Sequence, residues 1–302
     1  MNTAAVKILQ RAVALRDKTT FRIGGDAAWY AAPSTAAQIA QVSAWAREHA
    51  VPVCVMGNGS NVLISDAGWP GLVIDISRHF RAMEWDGTAV RCGAGAALAS
   101  VVRQSVGRSL CGIERLAGIP GTIGGGLVMN AGAFDQEIGA CVEWVDIIDM
   151  HDVAVRRVQR GEMRFGYRSS SLRQDGTVIV GAQLRLREGD GRRIRRDYEE
   201  VLGKRAEKQP LDKPNCGSVF KRPPGHYAGA LIEHCGLKGL RAGDAMVSEK
   251  HANFIVNLGS ATAEDVRAII ARVQKCVYEN TKVLLEPEVI FIGEFQTPLY
   301  TP

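Results

Sequence analysis

Ala117-Gly-Ile-Pro-Gly-Thr-Ile-Gly-Gly-Gly-Leu-Val-Met-Asn-Ala-Gly-Ala-Phe134 gathers six of the chain's 33 glycines into one short stretch. Pro120-Gly121 sets a tight turn, because proline fixes φ and glycine accepts φ above zero. Gly124, Gly125 and Gly126 carry no Cβ, so their backbone can lie flush against a ligand and aim N–H groups at it. Such a loop suits a phosphate or a flat heterocycle. Its alternative reading is a glycine-rich surface turn.

Working outward toward the N-terminus, a second loop of the same kind stands at Gly57-Asn-Gly-Ser-Asn61. It follows Val51–Met56, an apolar run that reads as a strand, and strand ends are where phosphate loops sit. The third glycine of a dinucleotide fingerprint is missing and no helix follows at once. Gly93-Ala-Gly95 starts that fingerprint and fails it at Leu98, and no G-x-x-x-x-G-K-[ST] occurs. Before this loop, Ala28–Ala32 reads as a strand ending at Pro33. Ser34 then caps a helix to about Ala50, with Ile39, Val42, Trp45 and Ala46 at helical spacing. With a strand at Leu72–Ile76, the opening third is a small α/β unit.

Beyond the first loop the pattern is short strands at Val142–Met150, Val153–Val158 and Val178–Leu186, with a helix over Leu98–Gly107. The arginine-rich Arg185–Arg196 reads as a solvated turn and domain boundary. The last third holds helices near Tyr198–Lys208 and Ala228–Cys235 and a strand at Ala252–Asn257. Thr262-Ala-Glu-Asp265 is a capping box before Val266, Ile269, Ile270, Val273 and Val277. A final strand is expected over Leu284–Ile292. There Glu286 and Glu288, two apart, point to one face.

Composition bounds the function. The chain has 302 residues, 46% hydrophobic and 23% charged, as expected of a globular enzyme of two or three domains. A net charge of +5 suits an acidic small-molecule substrate, and 6% aromatic content argues against a base-stacking nucleic-acid platform. Seven scattered cysteines form no C-x-x-C pair, and the six histidines show no ligand spacing, so no metal is expected. No apolar stretch is long enough to span a bilayer. The expectation is a cytoplasmic protein with free thiols, no membrane contact and no obligate protein partner.

Three groups could carry chemistry. Arg168, between Tyr167 and Ser169-Ser-Ser171, offers a guanidinium fork for a carboxylate or an enolate oxygen, or is simply solvated. Ser218, in Asn215-Cys-Gly-Ser-Val-Phe220, is either a proton donor or a turn cap; no G-x-S-x-G elbow makes it a hydrolase nucleophile. Cys216 is its neighbouring alternative. Glu288 reads as a partly buried carboxylate at a strand end. Lys221 and Arg222 can hold phosphate oxygens or stand as ordinary surface charge.

Seven motifs in order resemble one family. They are Thr19-Thr-Phe-Arg-Ile-Gly-Gly25, Gly57-Asn-Gly-Ser-Asn-Val-Leu63, Gly118-Ile-Pro-Gly-Thr-Ile-Gly-Gly125, Asn130-Ala-Gly-Ala133, Gly166-Tyr-Arg-Ser169, Cys216-Gly-Ser-Val-Phe-Lys221 and Leu285-Glu-Pro-Glu-Val289. The chain is similar to the UDP-N-acetylenolpyruvoylglucosamine reductase (MurB) family from about Thr19 to Gly293, in its shorter, type II form. Asn58 departs from the glycine common there. The resemblance implies an α+β fold: an FAD-binding domain of the vanillyl-alcohol-oxidase type in two α/β subdomains, 1–76 and 77–196, and a smaller substrate domain, 197–302. It implies noncovalent FAD bound by Gly57, Asn58, Gly59, Ser60, Asn61, Ile119, Pro120, Gly121, Thr122, Gly124, Gly125, Asn130, Ala131 and Gly132. NADPH would be the reductant. Arg168 and Glu288 would surround an enolpyruvyl carboxylate, Ser218 would donate a proton to C2, and Tyr167, Lys221 and Arg222 would contact substrate. The product would be UDP-N-acetylmuramate, a peptidoglycan precursor. The rival readings are another FAD oxidase of this fold and a non-catalytic nucleotide-binding module.

Overall fold

The computed structural model describes residues 7–150, 154–174 and 176–302. The chain divides into two compact units. The first comprises Met1–Arg11, Trp29–Asn58 and Gly71–Lys204, and the second Ala12–Ala28, Gly59–Pro70 and Arg205–Pro302.

In the first unit, helix α1 spans Ala36–Glu48 and buries Ile39, Val42, Trp45 and Ala46, the stripe its spacing predicts. Its cap is Thr35, whose hydroxyl accepts from Gln38 N at 3.2 Å. Ser34, the expected cap, instead donates its hydroxyl and N–H to the Gln38 side chain. Val53–Met56 pairs in parallel with 72–75. A five-stranded antiparallel sheet follows, in the order Val155–Gln159, Val142–Asp149, Thr177–Arg185, Ala89–Gly93, Met83–Asp86. The expected start of one strand at Val153 lies outside the described residues. Helix α2, Leu98–Gly107, has the bounds expected of it and buries Leu98, Val101, Val102 and Val106. Its apolar face joins Val90, Leu116, Leu127 and Val145 in one core. Each such side chain contributes roughly 1.5–3 kcal/mol when fully buried.

Two helices differ from expectation. Ile123–Val128 forms a short helix, α3, inside the glycine-rich stretch. Helix α4 runs from Gly191 to Lys208, so 191–196 of the arginine-rich segment forms its first turns, while Arg187–Glu188 is a short strand. The reason is local. The Asp190 carboxylate accepts from Arg192 N at 2.9 Å, and Ile194 and Val201, seven residues apart, supply a buried stripe. The chain's last crossing from the first unit to the second falls inside α4, between Lys204 and Arg205.

The second unit has an antiparallel sheet in the order Asn215–Ser218, Phe254–Asn257, Ala245–Val247, Arg241–Ala242. Its helices are α5, Ala228–His234, and α6, Ala263–Thr281. The capping box opens α6 as read: Thr262 Oγ1 accepts from Asp265 N at 3.0 Å, and Asp265 accepts from Thr262 N at 2.9 Å. Asp66 adds a carboxylate there, accepting from Ala263 N and Glu264 N, where the helix dipole favours an anion. Phe21, Leu63, Ile232, Ile255, Ile269 and Ile270 form a separate core. The final strand is shorter than expected. Only Ile290–Ile292 is regular, paired in parallel with Val62–Ile64. Residues 286–288 instead bond through main chain to 219–221. Among the described residues no helix is long and apolar enough to cross a membrane.

Candidate active site

The glycine-rich stretch is organised by Thr122, the cap of α3, whose hydroxyl accepts from Gly125 N at 3.3 Å. Ile123 N donates to Ala96 O at 2.9 Å, Gly124 N to Ala94 O at 2.8 Å and Gly126 N to Thr122 O at 2.8 Å. The amides of 123–126 are therefore spent on protein acceptors, which corrects the expectation that Gly124–Gly126 aim them at a ligand. Gly124 is small for packing: a Cβ there would lie 3.1 Å from that of Ala94. Gly57 is small for the same reason, since its Cβ would sit 2.6 Å from Thr122 Oγ1. Within the first unit the structure thus brings the two glycine loops together at Thr122. Asn58, Pro120 and Gly125 are exposed beside this junction. Neither 57–61 nor 117–134 carries an aspartate or a glutamate, so neither presents a fixed negative charge to a diphosphate. An acid-free lining of this kind fits the anionic diphosphate of FAD.

Beside this stretch, Phe165–Gly166 and Ser169–Ser170 form a hairpin with Tyr167 and Arg168 at its tip. Arg168 has φ +52°, a left-handed conformation that costs a side-chain-bearing residue free energy and is over-represented at functional sites. Its guanidinium donates to Gly132 O at 3.0 Å and lies 4.9 Å from the exposed Tyr167 ring. The hairpin rests on Asn130, which is fully buried. Asn130 Nδ2 donates to Gly166 O at 2.9 Å and to Glu137 Oε2 at 2.7 Å, while its Oδ1 accepts from Gly139 N at 3.1 Å. The side chain of Asn130, expected at the cofactor, is committed to holding the arginine loop. Ser170 Oγ adds a bond to Val128 O at 2.9 Å.

In the second unit, Gly59 packs against backbone, with a Cβ falling 2.3 Å from Lys18 O. Asn61 Nδ2 donates to Glu288 O at 3.1 Å, and Asn61 O accepts from Ile290 N at 3.0 Å. The loop thereby fixes the segment that carries Glu288. Ser218 ends Asn215–Ser218, where the register shifts: Asn215 opposes Val256 but Ser218 opposes Phe254. Gly217 takes φ +81° in this bulge, and its N–H donates to Asn215 Oδ1 at 2.9 Å. Past Ser218 the chain pairs with the glutamate segment. Glu288 N donates to Val219 O at 2.7 Å and Lys221 N to Glu286 O at 2.8 Å. Lys221 also forms an ion pair with Glu286. Glu286 is exposed and Glu288 half-buried, so the two are not equivalent as strand alternation implied. The Arg222 guanidinium lies 4.1 Å from the Tyr227 ring.

Cys216 is removed as an alternative nucleophile. It is 2% exposed, and burial pushes its thiol up to about 12, with the Glu288 charge adding to the effect. Two contributors escaped the sequence reading. Glu137 holds the Asn130 amide, and Asn253 brackets Phe220: Phe220 N donates to Asn253 Oδ1 at 3.0 Å and Asn253 Nδ2 to Phe220 O at 2.9 Å. Asn253 was signalled by being polar within an apolar run, since a buried amide needs partners.

Residues 209–292 match the model of the UDP-N-acetylenolpyruvoylglucosamine reductase C-terminal domain, and residues 27–158 match an FAD binding domain. The chain is 44% identical over 290 residues to UDP-N-acetylenolpyruvoylglucosamine reductase of Caldicellulosiruptor bescii, covering 95% of this chain and 92% of that one. It is 42% identical over 293 residues to the enzyme of the same name from Synechococcus sp. strain JA-3-3Ab, covering 96% and 93%. The crystal structure of that reductase from Thermus caldophilus superposes with a TM-score of 0.82 at 37% identity, over 94% of this chain and 99% of that one. The α+β fold with an FAD-binding domain followed by a distinct C-terminal domain is thus shown. With these likenesses added to the geometry, the chain belongs to the UDP-N-acetylenolpyruvoylglucosamine reductase family and is a flavin oxidoreductase with FAD as its cofactor.

Proposed function

We propose that this protein reduces UDP-N-acetylglucosamine enolpyruvate to UDP-N-acetylmuramate at the expense of NADPH, in peptidoglycan precursor synthesis in a bacterial cytoplasm. FAD would be held noncovalently along 57–61, 119–122, 124–125 and 130–132, and when bound would supply the two-electron chemistry that carries hydride from NADPH to the enolpyruvyl group. The chain's own side chains manage the charge and the proton. Arg168 offsets the negative charge that builds on the enolpyruvyl carboxylate as C3 gains hydride. Glu288 hydrogen-bonds the same oxygens when it holds or shares a proton. Ser218 Oγ–H gives its proton to C2, so no isolated carbanion survives. Tyr167, Lys221 and Arg222 contact the sugar nucleotide. Residues 1–76 and 77–196 are proposed as two cofactor-binding subdomains and 197–302 as the substrate domain.

The observation that carries this reading is the serine loop. Ser218 stands at a bulge, next to a glycine with φ +81°, on a segment paired with that of Glu288. The test is Ser218→Ala, followed anaerobically by the flavin spectrum. NADPH should bleach the flavin at nearly the normal rate, while reoxidation by the enolpyruvyl substrate should slow by roughly a hundredfold to ten-thousandfold. Equal slowing of both steps removes Ser218 from this role. Wild-type flavin reoxidised by oxygen but not by the enolpyruvyl substrate favours an oxidase of the same fold.

A further inference from the structure

We propose that Asn253 is the residue that positions Ser218 for proton donation, an inference that rests on the role proposed for Ser218 above. Regular pairing between Asn215–Ser218 and Phe254–Asn257 breaks at the bulge, where Cys216 and Gly217 together stand opposite Ile255. Beyond it, the partner strand no longer offers its own rungs, because Phe254 N turns back to His251 O at 2.9 Å. Asn253 replaces them. Its main-chain carbonyl accepts from Val219 N at 2.9 Å, and its side-chain amide both accepts from and donates to Phe220.

That side chain imitates a peptide group, offering one acceptor and one donor to a residue 2% exposed while being 8% exposed itself. Aspartate lacks the donor, and an apolar residue would leave both Phe220 groups buried without partners. On its other side, 219–221 is pinned by Glu286 and Glu288. Ser218 is therefore the first residue outside a segment held from both flanks. The turn made by Asn215 and Gly217 fixes its other neighbour. Asn253 touches no reacting atom in this scheme; it sets where the hydroxyl stands.

The test uses the full-length holoenzyme with Asn253→Asp and Asn253→Ser, the smaller neutral change serving where the carboxylate prevents folding. Hydrogen exchange at the Phe220 amide should quicken in Asn253→Ser, whose shorter side chain withdraws the acceptor, and change less in Asn253→Asp, which keeps it. Flavin reduction by NADPH should stay within about twofold, whereas single-turnover reoxidation by the enolpyruvyl substrate should fall roughly tenfold to a hundredfold, the scale of a misplaced reacting group. Placed on Ser218→Ala, Asn253→Ser should add less than about twofold, because the group it aims is already gone. Effects that multiply in the double variant, or equal slowing of both half-reactions, overturn the positioning role and leave that of Ser218 standing. Normal reoxidation by Ser218→Ala alone overturns the serine's role, and this inference with it.

Discussion

In the first unit the arginine hairpin rests on Asn130; in the second the serine segment rests on Asn253. Both asparagines are buried and both spend their amides on the backbone of the loop they hold. The difference lies in what else surrounds them. Asn130 bonds a carboxylate, Glu137, and supports a residue whose own backbone is left-handed. The Asn253 side chain bonds main chain only, while its own N–H donates to His251 Nδ1 at 3.2 Å. One support is thus tuned by a neighbouring charge and stores backbone strain, while the other is an unstrained extension of a strand ladder. A polar side chain can hold a functional loop in either way, but the two respond differently to perturbation.

The sharpest way to break the comparison is Asn130→Asp. It sets a second carboxylate against Glu137 in a fully buried site, and an uncompensated buried charge costs about 3–5 kcal/mol. Denaturant unfolding should show that loss; a change below ~1 kcal/mol would mean the site admits water and the contrast with Asn253 is false. Next comes Arg168→Lys. It keeps the charge but loses the fork, whose charge-assisted hydrogen bonds are worth ~1.5–3 kcal/mol each, so reoxidation by substrate should slow roughly tenfold to a hundredfold. Normal turnover would place the arginine away from the reacting carboxylate.

A third contrast concerns pH. Burial holds the His251 imidazole below its ordinary value of 6.5, with Lys238 lowering and Glu233 raising it. The unfolded chain then binds the proton more readily than the folded one, so stability should fall as pH drops below 6.5 toward the folded value. His251→Gln should flatten that limb between pH 7 and 5.5 in denaturant titrations; an unchanged slope would dismiss the histidine. The smallest effect is expected of Glu286→Gln. Its ion pair with Lys221 involves a carboxylate side chain 69% exposed, so thermal unfolding should register at most ~1 kcal/mol. A larger loss would make this pair, rather than Asn253, the chief support of the serine segment.

Much of this was legible before any coordinates. Local rules placed α1 and α2 and the capping box of α6, because apolar spacing and an N-cap hydroxyl act over four residues of chain. The ordered motifs identified Arg168, Ser218 and Glu288 as the residues to watch. Local rules failed where the deciding partner was remote in sequence. The arginine-rich segment looked solvated until Ile194 and Val201 were seen to bury one face of α4. The amides of 123–126 looked free until Ala94 and Ala96 took two of them. Neither Asn130 with Gly166 nor Asn253 with Phe220 is joined by any spacing rule, since 36 and 33 residues separate them.

By itself the sequence determined the residue types, the glycines that permit close approach, the helices with strong periodicity and the family. Tertiary structure alone decided which donors are already spent, which asparagine holds which loop, and that Cys216 is buried while Glu286 is exposed. The physical reason is that propensity and capping are contests within a few residues, whereas satisfying a buried polar group depends on whatever the fold brings beside it.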